Sequence, residues 1–110
     1  MKLSLVDKII IVKSLLPETG SIEGIKLILS IKNKLNLTSD ELAAVNLNTP
    51  SVGMLQLNNV TEEMQQRNTE YKLSSEEWSF LKTLANNCSL NGWVTEFSLD
   101  TIEMLINYTE

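Results

Sequence analysis

The fold of this chain depends on one segment near its N-terminus, SLVDKIIIVKSLLP at residues 4–17. Its aliphatic residues recur at i, i+4, i+7 and i+11, the spacing of one helix face: Leu5, Ile9, Val12 and Leu16. Ser4 and Asp7 fit the start of a helix, and Pro17 fits its end. The run Ile9–Val12 is also β-branched throughout, which is typical of a buried strand. The length of the segment and its capping residues favour the helix.

The next two segments also have the caps and apolar spacing of helices. A second helix is predicted to begin at Ser21, because its aliphatic residues again repeat at helical steps. Its predicted apolar side consists of Ile25, Ile28, Leu29, Ile31 and Leu35. Thr38 and Glu41 have the spacing of a capping box, which predicts a short third helix through Val45.

Two more helices are predicted in the C-terminal third. Ser74 and Glu77 form a second capping-box pattern, and the helix that follows is expected to end near Asn91-Gly92. The last helix is expected to begin close to Ser98. The apolar sides of these two helices are predicted to carry Trp78, Leu81, Leu84 or Ala85, Cys88, Leu99, Ile102, Leu105 and Ile106.

Between the third and fourth helices the apolar spacing changes to that of strands. Residues 52–58 and 69–73 alternate apolar and polar side chains, which predicts two half-buried strands paired with each other in an antiparallel hairpin. Their connection, residues 59–68, is polar and fits either a loop or a helical turn. The predicted fold is therefore mainly α with a minor β component: a compact bundle of four to five short helices with one small antiparallel β-hairpin.

The length and composition indicate a single globular domain. The chain has 110 residues, of which 43% are hydrophobic and 21% charged, and both fractions are near the averages of globular domains. We expect one domain over residues 1–110, made of N-terminal helices (1–48), a hairpin region (52–73) and C-terminal helices (74–110).

Three short motifs resemble a known group of proteins. They are Lys2-Leu3-Ser4-Leu5-x-Asp7-Lys8-Ile9, Leu16-Pro17-x-x-Gly20-Ser21 and Leu37-Thr38-x-x-Glu41. With the hairpin region and two closing helices that follow, they resemble a recurrent group of small helical proteins encoded in phage and prophage genomes, whose activity is unassigned. The resemblance implies a phage or mobile-element origin and hence the cytoplasm of a bacterial host. It implies no functional residues.

Charge is distributed unevenly along the chain. Residues 1–35 contain six lysines and three acids, a net charge of +3, whereas residues 36–110 contain three bases and eleven acids, a net charge of −8. Opposite charges on two parts of a small domain favour association with another chain. Lys26, Lys32 and Lys34 on the second helix are the candidate positive surface, with an ordinary solvated helix face as the alternative.

The composition argues against several classes of function. The chain has no histidine and a single cysteine, Cys88, so it lacks the usual nucleophile–base pair of an enzyme. Cys88 is expected on an apolar helix face. No spacing predicts a metal or cofactor site, and an acidic chain disfavours nucleic acid as a partner. The apolar run near the N-terminus is too short to span a bilayer, so a soluble, cytoplasmic protein without a membrane partner is expected.

Protein association is the class of function that these observations do not argue against. Met54 and Gln56 are predicted to face outward from the hairpin, and Trp93 is a further candidate contact unless it packs over the last helix as part of the core. We therefore expect a non-enzymatic protein that forms a homo-oligomer or binds another phage or host protein. The alternative is a small viral inhibitor that binds a host defence protein or sequesters a small signalling ligand, although no sequence feature supports such a ligand.

Overall fold

A computed structural model describes residues 2–44, 46–48, 56–58 and 60–108. Five α-helices lie within these residues: α1 (Leu5–Ile9), α2 (Ile22–Leu35), α3 (Ser39–Ala43), α4 (Ser75–Leu90) and α5 (Leu99–Asn107). A π-helical turn (Ile10–Leu15) continues α1, and a 3-10 turn spans Glu63–Gln65. The strands are β1 (Lys2–Leu3), β2 (Asn46–Asn48), β3 (Gln56–Asn58) and β4 (Thr69–Glu70). The predicted fold class, mainly α with a minor β component, is confirmed.

The N-terminal segment is helical throughout, as its caps predict. The Ser4 hydroxyl accepts a hydrogen bond from the backbone N–H of Asp7, and the Asp7 carboxylate accepts one from the backbone N–H of Ser4, both at 3.0 Å. After Ile9 the helix widens, so that the Leu16 N–H bonds the carbonyl oxygen of Ile11, five residues earlier, at 3.0 Å.

The β-branched run in this segment is buried on two sides. Ile9 and Ile10 pack with Val6 in a small apolar cluster. Partly buried residues from other segments pack against this cluster: Leu37, Leu42, Val60, Met64 and Phe97. Ile11 belongs instead to the main core, which it shares with residues of α2, α4 and α5. The helix thus lies between two apolar clusters, which explains why the three consecutive isoleucines are all buried and why the run also fits the pattern of a buried strand.

The main core lies where α4 packs against α5, the π-helical turn and α2. Its members from these elements include Ile11, Leu15, Ile28, Ile31, Leu35, Trp78, Leu81, Ala85, Ile102 and Leu105. Trp78 is 5% exposed, and its ring centroid lies 4.8 Å from that of Tyr108. Both predicted capping boxes, Thr38 with Glu41 and Ser74 with Glu77, are present and begin α3 and α4. Val45, the predicted end of the third helix, lies outside the described residues.

The predicted strand pairing is wrong. β3 pairs antiparallel with β2, with Leu57 opposite Leu47, and β4 pairs antiparallel with β1, with Thr69 opposite Leu3. The alternation of residues 52–58 and 69–73 indicated strands but carried no information about their partners. The connection between them contains the 3-10 turn, and Arg67 within it bonds Asp7 of α1, which holds β4 beside the N-terminal strand.

Candidate functional site

The outward side of α2 exposes two large aliphatic side chains. The core side of this helix is formed by Ile28, Ile31 and Leu35, all at most 3% exposed. On the other side Ile22 is 77% and Leu29 is 61% exposed, seven residues apart and therefore on one helix face. The prediction that Leu29 is buried is wrong, because it points about 100° away from its buried neighbour Ile28.

Two of the three predicted lysines flank these aliphatic residues. Lys26 lies between Ile22 and Leu29 in helical spacing, and Lys32 lies one turn beyond Leu29. Both are exposed, and within the described part of the chain neither forms an ion pair. We call Ile22, Lys26, Leu29 and Lys32 together the α2 outer face. It presents exposed aliphatic surface next to unpaired positive charge.

Lys34 does not belong to this face. Its ammonium forms an ion pair with the buried carboxylate of Glu77 in α4, which also accepts a hydrogen bond from the backbone N–H of Ser74 at 2.8 Å. Burial by itself would raise the pKa of Glu77, but the bonds from Lys34 and Ser74 outweigh it and lower the pKa to about 2. Lys34 therefore joins α2 to α4, and the three predicted lysines do not act as one surface.

The outward side of α5 carries acids around an exposed leucine. Ile102 and Leu105 are buried, whereas Leu99 is 45% exposed and Asp100 and Glu103 are exposed beside it. Glu96 is exposed in the turn that precedes the helix. We call Glu96, Leu99, Asp100 and Glu103 the α5 outer face. The helix itself contains no basic residue. Arg67 interacts with it: the pKa of Arg67 is raised mainly by its hydrogen bond to Asp7 and to a smaller extent by the charge of Asp100.

The junction of α4 and α5 exposes two more apolar side chains. Leu90 is 84% and Trp93 is 52% exposed. The backbone N–H of Trp93 bonds the carbonyl oxygen of Cys88 at 3.0 Å, and Gly92 adopts the left-handed conformation (φ 70°) that ends many helices. The alternative that Trp93 packs as a core residue is wrong, and its role as a contact stays a prediction.

Two adjacent charged residues of α1 are buried, which the sequence reasoning missed. Asp7 is 2% exposed and accepts hydrogen bonds from Arg67 Nε at 2.7 Å and from Thr101 Oγ1 at 2.6 Å. Burial would raise the pKa of this carboxyl, but these bonds and the Ser4 N–H together lower it. The signal in the sequence was a charged dipeptide, Asp7-Lys8, within an otherwise apolar run.

Lys8 makes the complementary contacts on the other side of the helix. It is 5% exposed, and its Nζ donates to Glu41 Oε2 at 2.9 Å and to the carbonyl oxygen of Leu35 at 3.3 Å. The Nζ atom also lies 5.5 Å from the centre of the Tyr71 ring. Burial disfavours the ammonium, but the bonds to Glu41 and Tyr71 outweigh it and raise its pKa. Together Asp7 and Lys8 connect α1 to four distant parts of the chain.

A cleft of about 470 Å³ opens beside Lys8. Lys34, Lys72, Glu41, Glu70 and Tyr71 contribute to its wall. Two of its cations are already paired, Lys8 with Glu41 and Lys34 with Glu77. The lining is thus mixed in charge and selects neither an anion nor a cation.

Three predicted residues remain: Met54, Gln56 and Cys88. Met54 lies outside the described residues, and Gln56 lies in β3, opposite Asn48. Cys88 is partly buried against the main core, as predicted, and burial raises the pKa of its thiol. Over the described ranges, no group of acids and cysteine is placed to hold a metal ion. A search of the same residues found no helix with the length and apolarity needed to cross a bilayer.

No protein-family model, no curated protein and no solved structure matches this chain.

Proposed function

We propose that this protein acts by binding protein chains, in the first place a second copy of itself, and that it catalyses no reaction. The observation that carries this proposal is the α2 outer face, where Ile22 and Leu29 stand 77% and 61% exposed beside two unpaired lysines. Burying one such side chain in an interface contributes up to about 1.5–3 kcal/mol, so association removes an unfavourable contact with water.

The distribution of perturbed carboxylates supports a non-enzymatic role. Asp7, Glu41 and Glu77 have lowered pKa values, and each is held by a cation and a backbone N–H that also shape the fold. A general base at neutral pH needs a raised rather than a lowered carboxyl pKa. The chain also contains no histidine. In this proposal the protein belongs to a phage or mobile element, as the motif resemblance implies, and works in the host cytoplasm.

Sedimentation velocity over a wide concentration range tests the proposal. We expect a concentration-dependent increase in mass for the wild-type chain, and a shift of Leu29→Ser toward monomer. Leu90→Ser is the matched control, because Leu90 is a helical leucine that is even more exposed than Leu29 and lies outside the α2 outer face. A wild-type protein that remains monomeric at the highest concentration would refute self-association.

The exposed junction of α4 and α5 favours a second candidate function, that of a viral inhibitor of a host protein. Half-exposed tryptophans are enriched at the centres of protein interfaces, and Trp93 lies outside the α2 outer face. In the same class of function, the cleft beside Lys8 is the place where a small signalling ligand would be sequestered. Native mass spectrometry of the purified protein distinguishes these hypotheses. A monomeric mass favours a dedicated protein partner, and a mass above that of the chain alone favours a retained ligand.

A further inference from the structure

We propose that the α2 outer face of one copy binds the α5 outer face of another. This inference rests on the proposed self-association and assigns its second surface. The two faces are complementary in charge, because Lys26 and Lys32 flank the exposed aliphatics on α2, whereas Glu96, Asp100 and Glu103 surround Leu99 on α5. Glu23 beside Ile22 and Arg67 near Asp100 reduce these charges without cancelling them, so each face offers an apolar contact with an excess of charge of one sign around it.

Pairing between identical faces is disfavoured. Two α2 outer faces in contact would bring Lys26 and Lys32 of one copy near the same lysines of the other, and two α5 outer faces would bring acids together. Like charges at close range in an interface reduce affinity and exclude the arrangement in favour of one with opposite charges. The complementary arrangement joins two different surfaces, so each copy keeps one face free for the next.

Other exposed apolar residues do not offer the same complementarity. Among the large apolar side chains recorded as exposed, Leu90 and Trp93 have uncharged neighbours in sequence, Ser89 to Val94. Glu62 and Glu63, the exposed acids at the start of the 3-10 turn, have no large exposed apolar residue beside them in the described structure. Leu99 has three exposed acids and no base within four residues in sequence, whereas Ile22 has two acids and Lys26 in the same range.

The size of the α5 outer face sets the expected strength of the contact. α5 has nine residues and is therefore about 14 Å long, so it covers about two turns of α2. An interface of this kind is below the roughly 1,200 Å² of standard stable complexes, and so association is expected to be weak and reversible. Because the contact joins different surfaces, it produces a ring if the rotation closes and a chain if it does not.

Charge reversal on each face, followed by mixing, tests the pairing. The first variant is Lys26→Glu with Lys32→Glu, and the second is Glu96→Lys with Glu103→Lys. Asp100 is left unchanged because Arg67 interacts with it. Each variant alone is expected to bind itself about tenfold more weakly than wild type, since two exposed charge pairs are lost and repulsion replaces them. An equimolar mixture is expected to regain association, because each reversed face then meets a face of opposite charge.

Glu62→Lys with Glu63→Lys is the matched control for the α5 variant, since it makes the same change in net charge away from both faces. Analytical ultracentrifugation at low and high salt measures all the proteins, and circular dichroism checks that each remains folded. Restoration in the mixture, with the control associating like wild type, is the expected result. If wild type associates and reversal on α5 has no effect or the mixture fails to recover, the assigned pairing is wrong while self-association stands. A monomeric wild type overturns both.

Discussion

The N-terminal helical segment buries two charged residues, whereas α2 exposes two large apolar ones. Residues 5–15 bury Asp7 and Lys8 almost completely, whereas α2 leaves Ile22 and Leu29 in contact with water. The first segment lies between two apolar clusters, while α2 packs on the core by one side only. The comparison shows that the surroundings of a helix, rather than its composition, decide which of its residues are buried.

The difference also separates two uses of charge. Asp7 and Lys8 lie inside the molecule and have partners from distant segments, so their role is to hold the fold together. Lys26 and Lys32 lie at the surface without an ion-pair partner in the described chain, so they are available to another molecule. Four predictions test this contrast.

The largest effect is expected within α2 itself. Ile31→Ala removes a fully buried side chain and should lower the free energy of unfolding by about 3–4 kcal/mol, because it leaves a cavity in the main core. Leu29→Ala should change it by less than about 0.5 kcal/mol, since the side chain is mostly exposed. Urea denaturation of dilute protein measures both. Equal losses would mean that α2 packs by both sides.

Asp7→Asn is expected to have the next largest effect. It removes the negative charge that pairs with the partly exposed Arg67, and it sets an amide NH2 against one of the donors that the buried carboxylate accepts from. Together these changes cost about 3 kcal/mol. Asp40→Asn is the control, because Asp40 is an exposed acid in the first turn of α3. Chemical denaturation of both variants gives the comparison, and a similar stability for the two would contradict the structural role of Asp7.

Lys8→Met should destabilise the fold by about 2 kcal/mol. The loss is smaller than for Asp7→Asn because methionine places no polar group at the buried position, whereas asparagine places an amide NH2 against hydrogen-bond donors. The methionine keeps most of the volume and loses the charge. Lys13→Met is the control at an exposed position of the same segment. Adding Glu41→Gln to Lys8→Met should recover part of the loss, and a thermal denaturation series would detect that coupling. Full additivity would show that the two groups do not interact.

The smallest effect concerns pH. The folded state lowers the pKa of Glu77 to about 2, so the unfolded chain binds more protons than the folded one as the pH falls below about 5. Stability that is present above the unfolded pKa is therefore lost between about pH 5 and pH 2, and the lowered pKa values of Asp7 and Glu41 act in the same direction. Glu77→Gln should make this loss shallower by on the order of 1 kcal/mol between pH 5 and pH 3.

Denaturation of wild type and Glu77→Gln at several pH values measures the difference. Glu76→Gln is the control, because Glu76 is the exposed neighbour in the same helical turn and its replacement makes the same change in charge. Parallel curves for wild type and Glu77→Gln would contradict the coupling between Glu77 and Lys34.

The candidate surfaces were only partly accessible to sequence reasoning. Lys26, Lys32 and Trp93 were identified from charge and chain position, and all three are exposed. The aliphatic half of the α2 outer face was missed, because Leu29 fits the apolar spacing of a buried side. The ion pair between Lys34 and Glu77 was missed as well, since 43 residues separate its members in the chain.

Local features, which depend on residues three or four positions apart, could be predicted from the sequence alone. Ser4 with Asp7, Thr38 with Glu41 and Ser74 with Glu77 cap helices where their spacing predicts, because a capping box is closed by atoms of one helical turn. The fold class follows from these local patterns. Tertiary contacts decided the rest: the pairing of β4 with β1, the burial of Asp7 and Lys8, and the exposure of Leu29. Each of these features depends on which distant segment of the chain packs against the residue concerned. The periodicity within one segment does not predict which segment that is.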